Sequence, residues 1–148
     1  MPEADDARIA GALSIAYMMA IAGKVLRSFP LDLLDLALVT TIANANAARP
    51  AEPAPKKRVP AKAAASEPGR TGISRNAVSR DINVPLETVR RRVAGLIEKE
   101  ILREQPDGLV FTPDNPIGLG NNTELNAFNL EALRQLFRGL KANGIKLD

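Results

Sequence analysis

The chain has no cysteine, no histidine and no tryptophan, and only 3% of it is aromatic. Without cysteine there is no disulfide and no thiolate metal site. Without histidine a Ser-His-Asp triad, a histidine general base and a histidine metal site are all excluded. Carboxylate chemistry stays open, but no acidic residues cluster at a spacing that suits it. The expectation is a protein with no catalytic residue, no metal and no cofactor. The scarcity of aromatics means that the core is built from Leu, Ile, Val and Ala, for which a hydrophobic fraction of 45% is sufficient. A length of 148 residues suits one modest domain, or a small domain with appendages.

A long membrane-spanning run is also missing from the pattern. "IAGALSIAYMMAIAG", residues 9–23, carries no charge but is shorter than the roughly 20 residues that cross a bilayer. The stretch before it, "MPEADDAR", is acidic and so makes a poor signal peptide. The expectation is a buried helix rich in small residues, in a cytoplasmic protein with no membrane partner.

The net charge of +3 is distributed unevenly. Residues 1–48 carry 3 basic and 5 acidic groups, residues 49–70 carry 6 and 2, residues 71–112 carry 7 and 6, and residues 113–148 carry 4 and 4. The excess falls in one short stretch and, locally, in one run of arginines, an asymmetry typical of polyanion-binding proteins.

The pattern predicts a first helix over about 6–27, interrupted at Ser28-Phe29-Pro30. Pro30 then suits the first position of a second helix, where its missing N–H is not needed. In that helix Leu31, Leu34, Leu38 and Ile42 recur at helical spacing, with Leu33 and Ala37 widening the stripe. Residues 49–70 are dominated by Pro, Ala, Lys and Arg and read as a disordered basic linker. Beyond it, "GIS" suits a short extended strand, and Ser74 suits the N-cap of a helix over "RNAVSRDI". Asn83 suits the left-handed residue that ends this helix. "VPLETVRRRVAGLIEKEIL" follows as a longer helix at about 85–100. Pro106-Asp107-Gly108 is a turn signal, with Leu102 and Arg103 before it and Leu109, Val110 and Phe111 after it, so a short β-hairpin is expected. A loop leads to Thr123, read as the cap of a last helix in which Leu125, Phe128, Leu133, Leu136, Phe137 and Leu140 lie on or near one stripe. The expected divisions are 1–48, the linker 49–70, the unit 71–113, and 114–148 as loop and terminal helix.

Three consecutive arginines, Arg90, Arg91 and Arg92, raise the functional question. At about 100° per residue, placing Val89 and Val93 inward turns Glu87, Arg91, Ala94 and Glu98 outward, with Arg90 and Arg92 flanking that face. The cations fan around one exposed surface, where a polyanion would relieve their repulsion.

Strand, short helix, tight turn, longer helix and hairpin, preceded by a helix, resembles the winged helix-turn-helix transcriptional regulators of bacteria. The resemblance covers about residues 28–48 and 71–113, with "ISRNAVSRDINVPLETVRRRVAGLIEKEIL" as its core. It implies a mainly α fold with a small β-hairpin, a winged helix-turn-helix extended by N- and C-terminal helices. It further implies sequence-specific binding of double-stranded DNA, with the helix at about 85–100 in the major groove. On that resemblance Glu87, Thr88 and Arg91 are candidate base readers, while Ser74, Arg75, Arg90, Arg92 and Arg103 are candidates for the DNA backbone. A homodimer is expected through the terminal helices, since one module makes few contacts for a selective site. No effector ligand is indicated. The alternative function is a winged-helix module that docks a protein and does not read DNA.

Overall fold

The computed structural model describes residues 2–47, 71–112, 115, 117 and 122–148; the basic linker 49–70 and most of the loop before the last helix lie outside them. The elements are α1 (Pro2–Ser28), α2 (Leu33–Asn46), α3 (Arg75–Ile82), α4 (Leu86–Glu98), β1 (Leu102–Gln105), β2 (Gly108–Phe111) and α5 (Thr123–Ala142). The protein is mainly helical, with a small two-stranded antiparallel sheet. Its contacts divide it into two compact units, one holding α1 and α5 and the other holding residues 34–115. The stretch 1–48 is therefore shared between units, split near the start of α2.

In the first unit α1 and α5 run antiparallel. Leu13 meets Gly139 near one end of the pair, and Lys24 pairs with Glu124 at 2.6 Å near the other. A Cβ on Gly139 would come within 2.9 Å of Leu13, so a glycine there permits the close approach of the helices. Between these ends the Tyr17 hydroxyl donates to the Asn129 side-chain oxygen. The hydrogen bond and charge of Lys24 hold the exposed Glu124 carboxyl below its ordinary range. Any stabilisation it brings is present at neutral pH and lost as pH falls through the depressed pKa; for so exposed a pair it is small. Glu3 and Asp5 in the first turn of α1 and Arg27 in its last turn complement the helix dipole.

Four local expectations need correction here. The first helix is 27 residues long, and its Glu3–Ser28 portion is long and apolar enough to cross a membrane, so shortness does not exclude a spanning role. Most of α1 is also not the buried helix expected: Ile15, Met18 and Met19 are each more than half exposed. The cap of α5 is Asn122 rather than Thr123, because the Asn122 side chain accepts from the Leu125 N–H. On α5 itself Leu125 and Leu140 are buried, whereas Phe137 is exposed.

In the second unit a tight turn joins α3 to α4. Ser74 caps α3, its hydroxyl accepting from the Ala77 N–H. Asn83 ends the helix in the left-handed region at φ 54° and ψ 48°. Ser79 secures the turn, its carbonyl accepting from the Val84 N–H while its hydroxyl donates to the Val84 carbonyl. Val89, Val93 and Leu96 form the inward stripe of α4 and are buried, as is Val78 of α3. α4 stops at Glu98, short of the expected end, because Glu100 adopts a positive φ of 62° and Ile101 bonds back to the Leu96 carbonyl. That reversal delivers the buried Ile101 and Leu102 to the hairpin. On the preceding side α2 begins at Leu33 rather than at Pro30. Its buried face is Asp35, Leu38, Val39, Ile42 and Asn46, while Leu33 is exposed.

β1 and β2 pair in the register Leu102–Phe111, Arg103–Val110, Glu104–Leu109 and Gln105–Gly108. Ile73 adds a third short rung, exchanging two hydrogen bonds with Leu109. Asp107 at the hairpin tip folds back to accept from the Gly72 N–H at 2.8 Å. Gly108 is required here for two reasons: its φ is 132°, and a Cβ would meet the Ile73 backbone at 2.8 Å. Gly108→Ala is expected to destabilise this unit by roughly 1–3 kcal/mol, from backbone strain and the displaced Ile73 rung. Urea unfolding checks this, and an unchanged midpoint would show that Ile73 can move away at no cost.

Candidate nucleic-acid interface

The candidate residues gather on two sides of α4. On one side Ser74, Arg75, Asn76 and Arg90 line a recess of about 280 Å³, floored by Ile73, Leu86, Gly108 and Leu109. It lies where the N-terminal ends of α3 and α4 meet the hairpin. Ser74 is there because it caps α3, and Arg75 because it is the first residue of that helix. Arg75 pairs with Glu104 of β1, which ties α3 to the hairpin. Arg90 is exposed and lies 3.6 Å from Glu87 one turn earlier. The N-cap of α4 is Pro85, which makes no side-chain cap hydrogen bond, so the first N–H groups of a 13-residue helix lack that partner.

On the other side Arg91, Arg92 and Lys99 share a recess of about 170 Å³ with Asp35, Gly95 and Leu96. Arg92 bonds Asp35 of α2 at 3.3 Å, and the Asp35 side chain is only 12% exposed. Arg92 thus ties α4 to α2 as well as lying beside the outward face. Arg91 is exposed and makes no ion pair among the described residues. Gly95 has nothing within 4 Å of where a Cβ would sit, which leaves this face of α4 open.

The remaining candidates are scattered. Glu87 is exposed, and Thr88 half-buried, in the first turn of α4. Arg103 is exposed on β1 opposite Val110 and lines neither recess. The outward face of α4 therefore carries Glu87 and Arg91, with Arg90 and Arg92 directed to opposite flanks, as the helical spacing indicated.

Four residues of these recesses escaped sequence reasoning. Asn76 and Lys99 carried a signal, the first two residues after a cap and the second seven residues after Arg92, two turns on. Asp35 carried none, since it lies 57 positions from Arg92 and only folding joins them. Gly95 carried none either, since its openness is a property of the packed unit. Among the described residues no group of three or more acidic side chains could hold a metal ion. No protein-family model, no curated protein and no solved structure matches this chain.

Proposed function

We propose that the protein is a winged helix-turn-helix transcriptional regulator that binds double-stranded DNA sequence-specifically, with α4 in the major groove. In this reading Glu87, Thr88 and Arg91 meet base edges, and Ser74, Arg75, Arg90, Arg92 and Arg103 meet the backbone. It acts in the cytoplasm as a homodimer, nucleoid-associated when bound, and without catalytic activity. The observation that carries the reading is the convergence of Ser74, Arg75 and Arg90 on one recess beside the uncapped start of α4. Two cations, a hydroxyl and helix N–H groups together suit a backbone phosphate, and a phosphate there would set α4 against a groove.

The test is selection from random duplexes at two salt concentrations, followed by titration of three variants. Arg91→Ala is expected to lose roughly 1–3 kcal/mol on the selected site and to relax preference at one base pair. Arg90→Ala is expected to weaken selected and scrambled duplexes alike, and to lower the salt slope by about one. Arg92→Ala does the same and also costs roughly 1 kcal/mol of fold stability, because the mostly buried Asp35 loses that partner. If all three variants bind both duplexes like the parent, α4 is not a DNA reader.

A second reading draws on a specific observation. Arg75, Arg90 and Arg92 each have a carboxylate partner within the unit, which lowers the positive potential offered to a polyanion. A winged-helix module that docks a protein would tolerate this. Binding that responds little to salt would favour it.

A further inference from the structure

We propose that α1 pairs with α1 of a second copy of this chain, antiparallel about a two-fold axis near residues 16–17. This specifies the homodimer proposed above and does not depend on DNA binding. α1 has two apolar faces. Leu13, Tyr17 and Lys24 turn toward α5. At about 100° per residue Gly11, Ile15, Met18, Met19 and Ala22 lie on the opposite side. There Ile15 is 57%, Met18 55% and Met19 60% exposed, and a Cβ on Gly11 would meet nothing within 4 Å. Methionine and isoleucine left in water at consecutive turns mark an interaction surface.

The occupant is identified by charge. Among the described residues of α1 the charges lie only at the ends, acidic Glu3, Asp5 and Asp6 with Arg8 at one, and basic Lys24 and Arg27 at the other. Asp5, which also bonds Arg8 at 3.0 Å, and Arg27 fall to the same side of the exposed stripe, and the acidic end carries a net charge of −2 against +2 at the basic end. In an antiparallel pair the same flanks of the two helices face each other, so each Asp5 comes opposite the partner's Arg27. The apolar residues agree on the same centre. A register within one residue of that which opposes Asp5 and Arg27 sets Ile15 against Met18 and Gly11 against Ala22, bulky against bulky in the middle and small against small outside. A parallel pair would instead place acid on acid and base on base. Two-fold symmetry makes each of these contacts occur twice and closes the assembly at two copies.

Sedimentation of the full chain tests this. The parent is expected to be dimeric, and Ile15→Glu with Met18→Glu is expected to be monomeric with unchanged far-ultraviolet circular dichroism, its dissociation constant raised roughly tenfold or more. Arg27→Glu is expected to weaken the dimer, and adding Asp5→Arg to restore it. Because the chain has no cysteine, Ile15→Cys and Met18→Cys chains can be mixed and oxidised, which stays informative if a charged variant misfolds. Faster cross-linking in the mixture than in either chain alone supports the antiparallel register. The proposal is overturned by a monomeric parent, by a dimer indifferent to Ile15→Glu with Met18→Glu, or by same-residue cross-links dominating. Partition of α1 into phosphatidylcholine–phosphatidylglycerol vesicles with loss of the dimer would also overturn it, in favour of a lipid surface.

Discussion

Asn46→Ala is expected to destabilise strongly the unit formed by α2, α3, α4 and the hairpin. Asn46 is the last residue of α2 and is only 3% exposed. Its side-chain nitrogen donates to the Thr71 carbonyl at 2.6 Å and to the Leu109 carbonyl at 3.1 Å. Its side-chain oxygen accepts from the Phe111 N–H at 2.8 Å. One amide thus joins α2 to the segment that enters α3 and to β2. The main-chain carbonyl of Asn46 also accepts from the Thr71 N–H. Alanine would take a partner from three main-chain groups in or beside the core, of which the Leu109 carbonyl keeps the Ile73 N–H. A buried group left unpaired costs about 1–3 kcal/mol, and with the lost packing of a buried side chain the sum is a large part of the roughly 5–15 kcal/mol that holds a whole domain. Asn44→Ala, two residues away and exposed, is the control and should change stability by less than about 0.5 kcal/mol. Equal urea midpoints for the two variants would show that water or a shifted backbone replaces the amide.

Val89→Asp is expected to be comparably severe by a different route. Val89 is 0% exposed and shares the interior with Val78, Val93 and Leu96. A carboxylate there is desolvated without a partner and costs several kcal/mol. Val89→Ala, which leaves only a cavity, should cost roughly 2 kcal/mol. The two variants also differ in pH dependence. Burial raises the carboxyl pKa of the aspartate above its unfolded value, so the folded state binds the extra proton. Stability of Val89→Asp should therefore rise as pH falls through that raised pKa, whereas Val89→Ala should show no such gain over the parent. Circular dichroism against urea at neutral and mildly acidic pH measures both. If Val89→Asp melts like the parent at neutral pH, α4 is rotated from the orientation described, and Arg91 no longer points outward.

What could be read along the chain was local. The Ser74 cap, the left-handed Asn83, the Pro106-Asp107-Gly108 turn and the inward stripe of α4 each rest on interactions within a few residues. Side-chain spacing and cap chemistry determine those without knowledge of the rest of the fold. Hence the sequence by itself set α3, the turn after it, the start of α4, the hairpin and the outward aim of Arg91.

Other features were decided only by tertiary structure. Asn46 looked like any polar residue at a helix end, and its three partners lie 25, 63 and 65 positions away. Asp35 carried no signal of its own, and its place beside Arg92 follows from the packing of α4 against α2. Asn122 displaced Thr123 as a cap because two adjacent residues both suited the role, and the backbone geometry of one was met. Two apolar helices, α1 and α5, could equally have been buried, paired or left in water by composition alone. Their close approach at Gly139 chose which face of α1 was covered. The physical reason is common to Asn46, Asp35 and the two helices. Periodicity identifies which residues share a face, but a face becomes a core, a salt-bridge partner or an open surface only when a distant element arrives to cover it.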